Sequence, residues 1–467
     1  MSAAPAVASC SLLARLGDRL AEAGVSYCQW KGRGHDNRWA TGEGDVDLLV
    51  DPAHEGAFRG AAAAVGFKLV RLPPRRALPS TVSLYGYDPR LARLVHLHVH
   101  WRLMVGDPWA THFRLPLERA ALLSAEAAEP FPVPAPACEL VLRVLKTVLR
   151  WSSVRALLRA PREAARQQWD LRVLEERAPE AEVRRLLRAH LPCVEVEVFA
   201  ACRRAIHPGA GVWQRLSGLI ALRRRLRPFA VAPGALARIA RIARALMRRP
   251  RATKRFERGA VIALLGGDGA GKSTAARALN RWLAPEFVTV HAHLGRPPRS
   301  LLTLVVGGLL KLRKLFPAQR PPLLELLRHL CTARDRYRLY VRAARCAAAG
   351  GIAVCERYPT PESRPLSGPR VRELAARRAP GRLVRRLWEM EERYYEAMLA
   401  PDLVLVLRVD PETAARRKLD EPSDYVRARA LTMWETDWGR TGARVIDAGR
   451  PLPEVLGEVK WLVWDAL

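Results

Sequence analysis

In the C-terminal part of the chain, short apolar runs alternate with stretches of helical periodicity. AVIALLG (260–266), EFVTVHAHL (286–294), GIAVCE (351–356), PDLVLVLRV (401–409) and ARVIDA (443–448) read as short strands buried in a sheet. Helical sequence separates each from the next, which predicts a parallel sheet flanked by helices over 259–467, an α/β fold. Upstream the texture changes. Residues 1–130 combine a helix over about 11–24 with strand-like runs such as VDLLV (46–50) and LVHLHVHW (94–101), predicting an α+β domain. Residues 131–227 open on the Pro-rich PFPVPAPA and continue with helical spacing in CELVLRVLKTVLRW, WDLRVLEER and AEVRRLLRAHL, predicting a helical subdomain. A basic linker over 228–258 contains ALARIARIARALMRR (235–249), whose apolar positions recur at helical spacing. No internal repeat is present.

One junction in this pattern carries chemistry. VIALLGGDGAGKST (261–274) ends an apolar strand in a Gly-rich loop, and helical sequence resumes behind it. Gly266, Gly271, Lys272 and Ser273 satisfy G-x-x-x-x-G-K-[ST] between a strand and a helix. Glycines allow the tight backbone path whose N–H groups surround phosphate oxygens, and the helix N-terminus favours the same charge. Gly266, Gly267, Asp268, Gly269, Ala270, Gly271, Lys272, Ser273 and Thr274 are therefore assigned to binding ATP. Lys272 serves the β/γ-phosphates and Ser273 is a ligand for Mg²⁺. Glu356 ends a predicted strand, where a carboxylate reaches the same metal, and Arg357 beside it is placed to grip an acceptor phosphate. Arg416 and Arg417 are candidates for neutralising charge on the transferred group, with a solvated helix face as the alternative.

Five segments occur in a telling order: GGDGAGKST, TARDRYRLY (332–340), GIAVCERY (351–358), PDLVLVLRVDPETAARRK (401–418) and VIDAGRPLPEVLGEV (445–459). Together they resemble the thymidylate kinases over roughly 259–467. The resemblance implies phosphoryl transfer from ATP, with Arg336 contacting the acceptor nucleotide, Asp268 its sugar, and Arg416 and Arg417 at the start of a mobile lid. The chain departs from that pattern in three places. Glu356 stands where the family usually has Asp, HLGRPPRS replaces an Arg-Glu-Pro-Gly-Gly stretch, and Pro361 replaces a Ser. The acceptor is accordingly left open between a nucleotide and another small molecule.

Near the N-terminus, YCQWKGRGHDNRWATGEGDVDLLVD (27–51) resembles the minimal nucleotidyltransferases of the polymerase-β-like superfamily, over roughly 20–180. Strand alternation puts Asp45 and Asp47 on one face, where two carboxylates hold Mg²⁺ against a triphosphate. The family's Gly-Ser turn reads Gly32-Arg33 here, and His98 falls near the place of its third carboxylate. His96, His98 and His100 share one face, which suits a transition metal or plain polar surface. Retention of this fold without its chemistry is the alternative to activity.

Charge and cysteine content change the picture modestly. The chain carries 78 Lys and Arg against 46 Asp and Glu, a formal net charge of +32, spread along its whole length. No aromatic-interleaved basic groove argues for nucleic acid. SLLTLVVGGLLKLRKLF (300–316), apolar with basic flanks, offers a peripheral membrane contact, a homodimer face or a lid over an apolar acceptor. Eight scattered cysteines lacking a Cys-x-x-Cys pair suit a reducing cytoplasm, and no signal peptide is expected. Three functions follow: first a kinase, then a nucleotidyltransferase using Asp45 and Asp47, then a nucleotide-gated protein on membrane or nucleic acid.

Overall fold

The computed structural model describes residues 10–31, 44–73, 80–106, 112–151, 153–231, 254–314, 323–375 and 381–467. The Gly32-Arg33 turn, the helix expected over 235–249 and residues 315–316 lie outside them. Contacts divide the chain into two compact units, Met1–Ala252 and Thr253–Leu467. Both are mixtures of helix and strand.

In the first unit, helix α1 (Ser11–Glu22) precedes strands β1 (Tyr27–Lys31) and β2 (Asp45–Val50), helix α2 (Glu55–Val65), and strands β3 (Lys68–Arg71), β4 (Thr81–Asp88) and β5 (Arg93–His100). The strands lie in the order β1-β2-β5-β4-β3. The β2–β5 pair is parallel and the others antiparallel. Period-two alternation sorts the two faces. Val46, Leu48 and Val50 join Val95, Leu97 and Val99 in a core with Leu12 and Leu16 of α1 and Phe58 of α2. The opposite face carries Cys28, Trp30 and Leu49 into a core shared with the helices α3 (Pro136–Leu149), α4 (Val154–Arg177), α5 (Glu180–His190), α6 (Val196–Ala205) and α7 (Val212–Arg225).

Asp88, at the end of β4, ties α1 to this sheet. Its Oδ2 accepts from the Leu12 N–H, the Ser11 hydroxyl and the Cys10 thiol, and its Oδ1 from the N–H groups of Arg90 and Leu91. Five donors on one buried carboxylate replace its lost hydration, and an anion at a helix N-terminus is also favoured by the dipole.

The second unit is a five-stranded, wholly parallel sheet. Strands β6 (Ala260–Gly266), β7 (Thr289–His293), β8 (Ile352–Glu356), β9 (Leu403–Arg408) and β10 (Arg444–Asp447) lie in the order β7-β8-β6-β9-β10. All five apolar runs read from the sequence form strands, because burial on both faces keeps parallel strands apolar throughout. Helices α8 (Lys272–Leu283), α9 (Leu301–Lys314), α10 (Leu323–Ala348), α11 (Arg382–Glu396), α12 (Pro411–Arg417), α13 (Ser423–Glu435) and α14 (Leu452–Ala466) are interleaved with the strands. Helix α9 is held at its start by Asp335 of α10, which accepts from the Ser300 N–H at 2.9 Å and the Thr303 hydroxyl at 2.6 Å. Its outward side is apolar, with Leu301, Leu304, Val305, Leu309 and Leu312 exposed. Among the described residues, no helix is long and apolar enough to cross a membrane.

None of the eight cysteines is in a disulfide. Six are buried, and only Cys193 and Cys346 are partly open to solvent. Burial pushes the thiols of Cys10, Cys138, Cys202 and Cys355 up to about 12.

Candidate functional site

Strand β6 ends at Gly266 and α8 starts at Lys272, so the Gly-rich loop lies at the carboxyl end of the central strand, where open parallel sheets bind ligands. Gly271 caps α8 with φ of +84°, a left-handed conformation that glycine adopts without strain. Gly269 has φ of +80°, and a Cβ there would stand 2.5 Å from the Ala414 carbonyl of α12. Helix α12 therefore packs against the loop only because that residue has no side chain.

Lys272 is buried, and its ammonium donates to the Gly267 carbonyl at 2.5 Å, inside the loop. Burial, then the charge of Arg357, pull its pKa down to about 8. Beside it, the Ser273 hydroxyl donates to Glu356 Oε2 at 2.6 Å. The other carboxylate oxygen, Oε1, meets His291 Nε2 at 2.8 Å. Burial alone would raise the Glu356 carboxyl, but the bonds from Ser273 and His291 and the neighbouring His293 outweigh it and hold it below the usual carboxylate range. Parallel pairing sets this arrangement: Glu356 lies opposite Leu264 on one side and His293 on the other.

Arg357 follows directly and adopts φ of +54°, an uncommon conformation for a residue with a side chain. Its N–H donates to the Leu264 carbonyl at 3.1 Å, and its guanidinium forms a close ion pair with Asp268. Gly295 leaves room for it, since a Cβ there would lie 2.4 Å from Arg357 Cδ. Arg429 of α13 approaches the other oxygen of Asp268 at 2.8 Å. Burial opposes the charge on Asp268, and Arg357, Lys272 and Arg429 more than restore it, so its pKa stays below the usual value. The loop from Asp268 to Ala275 lines a cavity of about 550 Å³, with Arg296, Arg357, Arg417, Lys418 and Arg450 also on its wall.

A second cluster lies on the face of the first unit's sheet that bears polar residues. The β2–β5 register sets Asp45 opposite His96 and Asp47 opposite His98. Asp45 Oδ1 stands 2.6 Å from His96 Nδ1. Asp47 is buried, and its Oδ1 is 2.8 Å from Lys31 Nζ, 3.0 Å from His100 Nε2 and 3.6 Å from His98 Nδ1. His100 is fully buried, and burial pulls its pKa down to about 4, so its ring is neutral. The two aspartates thus share a strand but face different partners.

No protein-family model matches the chain. The chain is 26% identical over 217 residues to the uncharacterized ATP-binding protein YghR of Escherichia coli strain K12, a match covering 43% of this chain and 85% of that protein. The YghR protein of E. coli O6:H1 strain CFT073 matches to the same extent.

Of the residues singled out in the sequence, Asp268, Lys272, Ser273, Glu356 and Arg357 converge on one place. Arg417 lines the cavity while donating to the Ala448 carbonyl at 2.8 Å. Arg416 is exposed and donates to Thr413 Oγ1 at 2.9 Å, off the cavity wall. Arg336 is buried outside the cavity lining. It donates to the Leu294 carbonyl at 2.7 Å and the Ser367 carbonyl at 2.6 Å, and contacts the Tyr395 hydroxyl. Sequence reading missed His291, Arg429, Lys418 and Arg450. His291 had a detectable signal: it lies on a predicted strand of the same sheet as Glu356.

Proposed function

We propose that the chain is an ATP- and Mg²⁺-dependent phosphotransferase, moving the γ-phosphoryl group of ATP to a nucleotide or another small acceptor. The observation that carries this reading is the Ser273–Glu356 pair at 2.6 Å beside the buried Lys272 ammonium. A hydroxyl and a carboxylate are hard oxygen donors, so the pair fits Mg²⁺, which Ser273 and Glu356 would hold. Once bound, Mg²⁺ offsets phosphate charge. Lys272, enclosed by the loop, offers its charge to the β/γ-phosphates. The name of the E. coli relative, an ATP-binding protein, supports ATP as the nucleotide.

The other cations favour transfer to a second anion over simple hydrolysis. Arg357, following the end of β8, lines the cavity together with Arg296, Arg417, Lys418 and Arg450. Such a lining neutralises two clustered phosphate groups and holds the reactants in line, which is where catalysis of phosphoryl transfer arises. Arg357 grips the acceptor phosphate in this reading. Arg417, on the wall, is better placed than Arg416 to meet charge on the transferred group. The segments resembling thymidylate kinases support a nucleotide acceptor, and the altered acceptor stretch supports a different small molecule.

ADP release from ATP and Mg²⁺, measured with nucleoside monophosphates in turn, tests the proposal. Acceptor-dependent turnover that falls by roughly 100-fold or more in Lys272→Ala is expected. Turnover that survives this substitution intact would sink it.

A further inference from the structure

We propose that Asp47, His98 and His100 form a binding site for a divalent transition-metal ion, distinct in metal preference from the Mg²⁺ expected at the phosphate loop. The three side chains offer one donor each, and these atoms lie within 4.8 Å of one another. Strand pairing fixes them. Asp47 and His98 are directly opposite in the parallel β2–β5 ladder, and His100 lies two residues along β5 on the same face.

The spacing admits an ion in place of the Asp47–His100 hydrogen bond. Donors each about 2.1 Å from a tetrahedral ion stand roughly 3.4 Å apart. The observed separations from Asp47 Oδ1, 3.0 Å to His100 Nε2 and 3.6 Å to His98 Nδ1, bracket that value. The longer one exceeds an ordinary hydrogen bond. Two imidazole nitrogens and one carboxylate select ions such as Zn²⁺, Co²⁺ or Fe²⁺ over Mg²⁺, which prefers oxygen donors. Three protein donors leave at least one position for water or a substrate oxygen, as catalytic rather than structural sites do. The His98 side chain, a quarter exposed, gives the ion a route in.

Lys31 is the competitor. Its ammonium sits 2.8 Å from the same Asp47 oxygen, and it must swing aside when an ion takes that position. It is itself partly exposed, at the end of β1, so the movement needs no repacking of the core.

The test uses the full chain stripped by a chelator and titrated with Co²⁺, read by its visible ligand-field bands and by calorimetry. One Co²⁺ per chain is expected, displaced by Zn²⁺ and not by excess Mg²⁺. His98→Ala and Asp47→Asn should each weaken binding by at least about 10-fold. Lys31→Met should tighten it, an effect that a misfolded variant cannot mimic. Glu356→Gln should keep the signal, which separates this site from His291, His293 and Glu356 in the other unit. No Co²⁺ bands, equal affinity in wild type and His98→Ala, unchanged affinity in Lys31→Met, or loss of the signal in Glu356→Gln would each overturn the proposal.

Discussion

Lys272 has a pKa of about 8 because the loop takes its ammonium out of water and Arg357 stands nearby. A bound triphosphate reverses the electrostatics and raises that pKa, so binding draws in a proton wherever the free lysine is neutral. Affinity for ATP should therefore be full below about pH 8 and decline as pH rises through it, with proton uptake visible in calorimetry across buffers of different ionisation enthalpy. A flat affinity through that range would contradict it. The same depression has a folding consequence of the opposite direction: stability held back at neutral pH is recovered as pH climbs from about 8 towards the ordinary lysine value. Residues of the loop were legible because they are adjacent in the chain and each has one chemical reason to be there. Arg429 was not. It meets Asp268 only after the chain has crossed the sheet and returned in α13, and among so many arginines nothing local marks it.

At the scale of elements, two contacts decide where helices sit. A methyl group at Gly269 would collide with the Ala414 carbonyl and occupy a left-handed conformation at the same time. Gly269→Ala should thus push α12 off the loop, destabilising the unit by about 1–3 kcal/mol and weakening ATP binding. Chemical denaturation together with a binding isotherm checks both. In the other unit, Asp88→Asn turns an acceptor of five hydrogen bonds into a mixed group and should cost about 1–3 kcal/mol. Burial alone would raise the Asp88 carboxyl, but the Leu12 and Leu91 N–H groups and the Cys10 and Ser11 side chains hold it below the usual range. Its contribution is present above the ordinary carboxylate pKa and is lost as pH falls through the lower, folded value, so Asp88→Asn should also flatten the acid side of the stability profile. The five parallel strands of the second unit, and β2 and β5 of the first, were legible from their apolar runs, whereas β1, β3 and β4 were not singled out. Helix α4 was only half legible: WDLRVLEER shows its periodicity, but the helix begins at Val154 and runs through Pro161, a residue that locally argues for a break.

At the scale of the molecule, the fold type of the second unit follows from pattern, since alternation of apolar runs with helical spacing forces a covered parallel sheet. What pattern could not supply was which side chains meet across strands. Asp47 and His98 are far apart in sequence, and only the parallel β2–β5 register sets them opposite one another. The two proposed sites lie in different units, which predicts separable responses in hydrogen exchange. ATP with Mg²⁺ should protect amides of β6, α8 and α12, whereas Zn²⁺ should protect β2 and β5; protection of β2 and β5 by ATP alone would argue against this assignment. The thiols offer a practical consequence. With Cys10, Cys28, Cys138, Cys202, Cys331 and Cys355 enclosed, and burial holding four of them protonated well beyond neutral pH, a maleimide dye meets only Cys193 and Cys346 at any speed. Replacing those two with serine leaves a background on which a fluorophore pair can be installed at chosen surface positions, so that motion of the nucleotide cavity can be followed one molecule at a time.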